Sequence, residues 1–321
     1  MCEKIQLLLK FMQTTIEKVE TVPKKGRPYV YSSLSFLFFF IVMFIKRIHG
    51  FKSMAKHVKY NYQKFGFPSP PSRKTIRRRY YEMPMFIAWL LPVVALQISL
   101  MDERIQTRIG YIDKTVVKAL GGIWHKKHRR MNIVPHPSID TDASWAKSAY
   151  HGWRFGYGIH LIVSDLRFPI AACVATAAAC DKKQAKLLMN GVLPQLYMIV
   201  GDAAYRSVRF LQQLWTHLEV FCLTYKPFET TSKFKNWYNT WLQKAEAKQI
   251  YRKRKPSVEP AFSLLKELFN LKGNTPVPYK GLQKVKPFLM VTVAAIQFMM
   301  VFNILFNHKL GDNEHFKALI E

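Results

Sequence analysis

Acidic residues are scarce in this chain. Its 321 residues include only 20 Asp and Glu against 49 Lys and Arg, which gives a formal net charge of +29 at pH 7. The cations are spread along the chain, and a hydrophobic fraction of 49% is ample for a sizeable core. This composition argues against a disordered basic tail as the main feature. It favours a folded protein with a polyanionic partner, for which nucleic acid is the first candidate.

Cysteine is also rare, with four residues at positions 2, 173, 180 and 222. They form no Cys-x-x-Cys pair, and no Cys/His spacing matches a zinc site. Three of them lie in apolar stretches, which is typical of buried thiols in a reducing compartment. The sequence therefore indicates a cytoplasmic protein, and a nucleic-acid partner would place it at the nucleoid.

Uninterrupted apolar runs of membrane-spanning length are missing as well. The run Leu34–Ile45 is too short to cross a bilayer, and Met85–Met101 is broken by a proline and a glutamine. Phe288–Phe306 has nineteen residues, interrupted by Gln297 and Asn303, and is a candidate span on length alone. The last helix of an α/β domain, packed on a sheet, has the same composition. We therefore expect no membrane span, with a basic protein anchored by this segment as the alternative.

The first 104 residues are predicted to form a helical, DNA-binding domain. Two helices, over residues 31–50 and 51–65, precede a Pro-rich turn. Ser72 is then a plausible N-cap for the basic helix Arg73–Arg79. A helix, a turn and a basic helix resemble a helix-turn-helix arrangement, so we regard Arg73 and Arg77 as DNA-contact candidates. A solvated basic surface helix is the alternative.

From residue 105 the pattern changes to strands separated by helices. Five strands are predicted, at Ile105–Asp113, Gly158–Ser164, Pro169–Thr176, Leu196–Asp202 and Glu219–Tyr225. Helices are predicted at Lys182–Asn190, Ala203–Trp215, Lys233–Lys248, Ser257–Asn270 and Gly281–Phe306. This order is that of a ribonuclease-H-like fold, an α/β mixed sheet flanked by helices. We assign residues 105–310 to this domain and residues 311–321 to a C-terminal tail.

Three acids occupy positions in this fold that suit a metal site. Asp113 closes the first predicted strand, Asp202 closes the fourth, and Glu259 lies in the first turn of a later helix. Ligands of open α/β sheets gather at the carboxyl ends of strands. Carboxylates are the ligands that Mg²⁺ prefers, and phosphoryl transfer on DNA uses two such ions about 4 Å apart. Taken singly, each acid has a structural alternative: a helix cap for the aspartates, and a helix-dipole or Lys255 partner for Glu259.

Four stretches together resemble the DDE transposases of bacterial insertion sequences. They are Tyr111-Ile-Asp113-Lys-Thr; Asp140-Thr-Asp-Ala-Ser-Trp with Gly152-Trp-Arg-Phe-Gly-Tyr-Gly158-Ile-His160; Val200-Gly-Asp202-Ala-Ala-Tyr205; and Lys255-Pro-Ser-Val-Glu259 followed by Lys266. Three positions depart from the family pattern. Lys114 follows the first acid, where the family often has a small hydroxyl residue. Four residues before Glu259 the family commonly has an arginine; here that position is Lys255, and the arginine is its neighbour Arg254. Tyr251 lies one position away from the family's usual tyrosine.

The resemblance implies a mechanism and a set of roles. Mg²⁺ or Mn²⁺ held by Asp113, Asp202 and Glu259 would activate water to nick the element's end, and the freed 3′-hydroxyl would attack target DNA. The partners would be terminal inverted repeats and target DNA, bound by a homodimer. Lys255, Arg254 and Lys266 would hold backbone phosphates, and Tyr205 would position the strand or stack on a flipped base.

Two further segments bear on DNA and metal binding. The stretch Trp124–Arg130 interleaves bases with an aromatic and is interpreted as a DNA-contact loop, carrying Lys126, Lys127, Arg129 and Arg130. A solvated basic loop is the alternative. Asp140 and Asp142 lie near three histidines, but the spacing matches no known ligand pattern, so we predict no metal site there.

Other functions remain open from the sequence alone. A ribonuclease-H-like nuclease without strand transfer keeps the fold and changes the reaction. A DNA-binding protein without catalytic activity, such as a decayed transposase copy, keeps the basic surface and loses the chemistry.

Overall fold

A computed structural model describes residues 3–17, 30–148, 152–191, 196–224, 227–229 and 232–320. Its helices in these ranges are α1 (Glu3–Glu17), α2 (Ser33–Ile45), α3 (Phe51–Asn61), α4 (Arg73–Met101), α5 (Lys126–Arg130), α6 (Asp181–Gly191), α7 (Val208–Leu218), α8 (Lys233–Gln243), α9 (Ala245–Arg252), α10 (Arg254–Leu268), α11 (Leu282–Leu305) and α12 (Glu314–Ile320). The strands are β1 (Ile109–Lys118), β2 (Ser144–Ser148), β3 (Gly152–Val163), β4 (Pro169–Thr176), β5 (Met198–Val200) and β6 (Phe221–Leu223). Short 3₁₀ turns occupy Tyr62–Phe65 and Ala203–Tyr205.

The strands form one mixed, six-stranded sheet in which β3 is central. The first part of β3 pairs with β2, and its second part pairs with β1 and β4, all antiparallel. On the other side of β1, the strands β5 and β6 continue the sheet in parallel. This topology confirms the ribonuclease-H-like α/β fold that the order of strands and helices predicts.

Two long apolar helices cover β4 and pack against each other. Gln297 on α11 is buried, and its Nε2 donates to the carbonyl oxygens of Leu91 (2.8 Å) and Pro169 (2.9 Å), which ties α11 to α4 and to the sheet. By length and composition alone both helices could cross a membrane. However, 89% of the most apolar window of α11 is buried inside the protein, as in the core helix of a soluble domain.

Helices α3 and α4 begin at the predicted residues, whereas α2 begins at Ser33 rather than at residue 31 and α1 was not predicted. The Ser72 hydroxyl accepts from the Thr75 amide (3.2 Å) at the start of α4, and this helix continues without a break through the apolar segment to residue 101. Arg79 is only 3% exposed and donates to Glu82 and Ser33, so it stabilises the helices rather than facing solvent. The N-terminal segment shares its core with the sheet domain, and the division at residue 104 stays a prediction.

Several details of the fold differ from the sequence prediction. The helix predicted over Ala203–Trp215 is divided into the turn Ala203–Tyr205 and α7, the predicted DNA-contact loop contains α5, and the predicted C-terminal tail contains α12. Strand β2 was not expected, although its residues belong to a stretch used for the family resemblance. The helix predicted over Lys233–Lys248 is broken at Lys244, whose extended backbone (ψ 142°) ends α8 and precedes α9. Cys180 is exposed rather than buried, whereas Cys222 is buried and Cys173 is half-buried. Cys2 lies outside the described residues, and so does Tyr225, at which the last predicted strand ends.

Candidate active site where the β1–β5 ladder ends

Two of the three predicted acids are brought together by strand pairing. In the parallel ladder between β1 and β5, Tyr111 pairs with Val200, and Asp113 and Asp202 each follow that pair by two residues. The two carboxylates are close enough that the charge of Asp202 contributes to raising the pKa of Asp113. The geometry therefore places both acids at one end of the ladder.

The prediction that Asp113 closes its strand is wrong. Beyond it, the residues up to Lys118 continue β1 by pairing with β3, where Lys118 faces Gly156. The strand that ends near Asp113 is β5, the parallel neighbour of β1, which stops at Val200. The acid thus lies in the middle of a long strand, at the point where one neighbour is lost and one side of the strand opens.

The Asp113 carboxylate is fixed by two donors. Its Oδ1 accepts from the Lys114 amide (2.7 Å), and its Oδ2 accepts from Nη1 of Arg254 (2.6 Å) at the start of α10. Burial raises the pKa of the Asp113 carboxyl above its ordinary value; Asp202 adds to this, and Arg254 and the Lys114 amide offset it in part. Arg254 supplies positive charge where two acids would otherwise repel each other.

Asp202 combines a structural role with its place in the site. Its Oδ1 accepts from the Ala204 amide (2.8 Å) and caps the turn Ala203–Tyr205, so the helix-cap alternative is realised. This bond fixes the orientation of the carboxylate and leaves Oδ2 with no hydrogen bond to any described residue. A capped aspartate with one open oxygen can still serve as a metal ligand.

Tyr205 is not part of the DNA-facing surface. Its ring is 1% exposed and packs beside Phe210, and a Cβ on Gly201 would approach it to 2.7 Å. A base cannot stack on a ring enclosed in the core. In this structure Tyr205 does not reach the surface to contact DNA. Its ring packs in the core and supports the turn Ala203–Tyr205, which Asp202 caps.

Glu259 lies on α10, the helix that also brings Arg254 to Asp113. The inward face of α10 is apolar as predicted, with Val258, Phe262 and Leu265 buried, whereas Glu259 is exposed. Within the described part of the chain, no hydrogen bond or ion pair joins it to either aspartate or to Lys255. The structure thus puts the third acid on the helix next to the aspartate pair but does not bring it into contact with them.

The aspartate pair fits a hard divalent cation. Mg²⁺ in proteins is commonly held by one or two carboxylates and retains several waters, which matches two adjacent carboxylates on an open strand edge. Among the described residues, no three His, Cys, Asp or Glu side chains converge into a complete metal cluster. Asp113 and Asp202 can therefore hold a metal, and Glu259 would have to move toward them to join it.

An ion pair that the sequence did not suggest lies on the opposite face of β1. Nζ of Lys114 is 2.5 Å from Oδ1 of Asp181, the first residue of α6, and both side chains are largely buried. His160, which pairs with Lys114 across the ladder, is fully buried near the same carboxylate, and burial lowers its pKa to about 4. Asp181 thus neutralises Lys114, the lysine that departs from the family pattern, on the face of β1 opposite Asp113.

Basic and aromatic side chains lie together beyond the far end of β1. Nζ of Lys126 is 3.7 Å from the centre of the Trp153 ring, and the Arg129 guanidinium lies over Trp124 at 5.7 Å. Among the other predicted DNA-contact cations, Arg73, Arg77, Lys127, Arg130 and Lys255 are exposed as expected, whereas Lys266 is half-buried and Arg254 is largely buried against Asp113.

Lys266 differs from the exposed cations because it is half-buried. Burial lowers the pKa of Lys266, and the nearby charge of Arg154 lowers it further. A DNA phosphate would offset this repulsion, so Lys266 stays a candidate phosphate contact.

Asp140 and Asp142 have a structural role. Asp140 is 1% exposed and accepts from the Tyr157 hydroxyl (2.7 Å) and the Gly281 amide (3.0 Å). Asp142 accepts from the Leu282 amide (2.8 Å). Both acids thus hold the start of α11 against the sheet.

Comparison with known proteins places this arrangement in a family. Residues 105–296, more than half of the chain, match the family model described as Transposase DDE domain. No curated protein and no solved structure matches the chain. The matched segment contains β1 with Asp113, β5 with the following Asp202, and α10 with Glu259. The chain therefore belongs to the family of transposases with a DDE domain.

Proposed function

We propose that this transposase cleaves the ends of a DNA element and transfers them to target DNA, using Mg²⁺ or Mn²⁺ held by Asp113, Asp202 and Glu259. The observation that carries the proposal is the adjacency of Asp113 and Asp202 where the β1–β5 ladder ends. A cation, Arg254, already balances this acidic pair in the free protein. Divalent ions bound there would activate the attacking oxygen and stabilise the leaving oxygen.

The protein's contribution is to hold the carboxylates in fixed positions. The Lys114 amide orients Asp113 through Oδ1, and the Ala204 amide orients Asp202 through Oδ1. Because both donors are backbone groups next to their acids, the carboxylates are pre-organised by the strands. Such pre-organisation lowers the cost of assembling the site when DNA arrives.

Glu259 would complete the site through α10. The helix is anchored on β1 and β3 by its buried apolar face, and its first turn already reaches Asp113 through Arg254. A shift of this helix end, or a change of the Glu259 rotamer, would bring the third carboxylate toward the pair. Its exposure leaves it free to make that movement.

The DNA would lie along the exposed cations of this domain. Lys126, Lys127, Arg129, Arg130 and Lys255 supply exposed positive charge for the phosphate backbone. Lys266 and Arg154 offer a site for one phosphate, and the exposed face of Trp153 provides a ring for stacking.

The N-terminal region would add a second contact with DNA. Arg73 and Arg77 at the start of α4 would bind the element's terminal repeats, with residues 1–104 acting as the end-recognition domain. Synapsis of two ends calls for two copies of the chain on DNA, by analogy with the family. The reaction would take place in the cytoplasm, at the nucleoid.

The proposal is tested with the purified full chain, Mg²⁺ and a labelled DNA fragment carrying an element end. We expect nicked and joined products, and Glu259→Gln is expected to reduce both. Glu267→Gln, on the same helix but paired with Lys272, is the matched control and should leave both products unchanged. Nicking without joining would support the nuclease alternative, and binding without either product would support a protein that has lost catalysis.

A further inference from the structure

Arg254 uses little of its capacity to bind anions. Its Nη1 lies 2.6 Å from Oδ2 of Asp113, and its side chain is 11% exposed. Nε is buried with no hydrogen-bond partner among the described residues. A guanidinium has five N–H donors and often binds carboxylate or phosphate through two parallel bonds, yet the contact with Asp113 is single. The side chain therefore keeps donors available for a second anion.

The contact also occupies one of the two Asp113 oxygens that could bind a metal. Oδ1 of Asp113 accepts from the Lys114 amide, and Oδ2 accepts from Arg254. A divalent ion that binds Asp113 through Oδ2 would lie next to the guanidinium, and the repulsion between the two cations weakens metal binding as long as Arg254 stays in place. Arg254 and the metal are thus competing partners of the same carboxylate.

The surroundings of Arg254 suggest where it goes when displaced. Its neighbours Arg252, Lys253 and Lys255 are exposed, so the junction of α9 and α10 presents several positive charges to solvent. DNA bound at this junction would bring a phosphate close to the unused donors of Arg254. Guanidinium binds phosphate well because its planar fork matches the phosphate oxygens.

We propose that Arg254 couples DNA binding to metal binding: in the free protein it neutralises Asp113 and weakens metal binding, and a DNA phosphate draws it away and releases the carboxylate. The inference rests on the proposed metal site at Asp113 and Asp202. Coupling of this kind is reciprocal, so DNA raises the affinity for the metal by the same factor as the metal raises the affinity for DNA.

The test measures Mn²⁺ affinity, from the electron paramagnetic resonance signal of free Mn²⁺, with and without a short duplex that lacks an element end. Mn²⁺ bound by the duplex alone is subtracted. For the wild-type chain we expect DNA to raise Mn²⁺ affinity about tenfold. For Arg254→Ala we expect an affinity without DNA that is already raised about tenfold, and no further increase with DNA.

The matched control is Arg108→Ala, which removes the same charge from an exposed position just before β1, outside the basic junction of α9 and α10, and should keep the wild-type response to DNA. Arg254→Gln serves as the second variant if Arg254→Ala fails to fold by circular dichroism. An unchanged Mn²⁺ affinity and an unchanged DNA effect in the folded variant would overturn the coupling.

Asp113→Asn separates this outcome from failure of the proposed function. If Asp113→Asn loses Mn²⁺ binding while Arg254→Ala matches the wild type, only the coupling is wrong. If Asp113→Asn binds Mn²⁺ as well as the wild type does, the metal site itself is wrong.

Discussion

Tyr111 and Val200 are paired across the parallel ladder of β1 and β5, and in each strand the second residue after the pair is an aspartate. Strand register therefore sets the distance between the two acids. The chain reaches Asp202 through Gly201, where an added Cβ would lie 2.7 Å from the Tyr205 ring and 3.2 Å from Cγ2 of Ile112.

Gly201→Ala should therefore damage both the fold and the site. Overpacking against the buried Tyr205 ring is expected to cost about 1–3 kcal/mol of unfolding free energy, and the displaced Asp202 should lower the cleavage rate further. Urea unfolding and the rate of DNA nicking measure the two effects. Gly311→Ala is the control, because the nearest atoms to its added Cβ are 3.9 Å away. If both variants behave like the wild type, the packing account of this turn is wrong.

Asp140→Ala should destabilise the protein without touching the metal site. The substitution leaves the buried Tyr157 hydroxyl and the Gly281 amide without their acceptor, at an expected cost of about 3 kcal/mol. Asp142→Ala removes a more exposed cap of α11 and should cost about 1 kcal/mol. Urea denaturation of both variants gives the loss of unfolding free energy for each. Equal losses would contradict the assignment of Asp140 as the main anchor of the start of α11.

The pair formed by Lys114 and Asp181 should behave as a unit. Asp181→Leu leaves a largely buried ammonium without its partner, and we expect a loss of about 3 kcal/mol. The double variant Lys114→Met with Asp181→Leu removes both charges and should recover most of that loss. A double-mutant cycle of unfolding free energies measures the coupling. Additive losses would mean that the two side chains do not interact.

Lys266 should give DNA binding a dependence on alkaline pH. Burial and Arg154 lower the pKa of Lys266, so this cation is lost at a lower pH than an ordinary lysine as the pH rises. DNA affinity measured between about pH 8 and pH 10 should fall in the wild type and fall less in Lys266→Arg, because arginine stays charged. Lys127→Arg, at an exposed position, should follow the wild-type curve. Identical curves for all three would rule out a phosphate contact by Lys266.

Much of the fold follows from patterns that are local in the sequence. Strand β4 has the predicted bounds, Pro169–Thr176, because an apolar run between turn residues marks it clearly. The start of α4 is also local, since the Ser72 cap and the helix it begins are adjacent in the chain. The end of β1 is different, because charged Lys114 suggests that the strand stops. The partner that allows the lysine to be buried, Asp181, is 67 residues away in the chain.

The candidate site shows the same division. The adjacency of Asp113 and Asp202 could be predicted, although β1 continues past Asp113 and the two acids meet through the register of the β1–β5 ladder rather than at two strand ends. The contact between Asp113 and Arg254 could not, because it depends on how α10 is placed across β1. The burial of Tyr205 also depends on tertiary packing, around Gly201 and Phe210. Whether Glu259 joins the aspartates stays a prediction.

The central claim is that Asp113 and Asp202 hold the catalytic metal, and the rate of DNA end cleavage in Mg²⁺ tests it most directly. Asp113→Asn and Asp202→Asn should each lower that rate about a thousandfold while DNA affinity stays at the wild-type level, because the charge that holds the metal is removed and the basic surface is kept. Cleavage by Asp202→Asn at the wild-type rate would contradict the account.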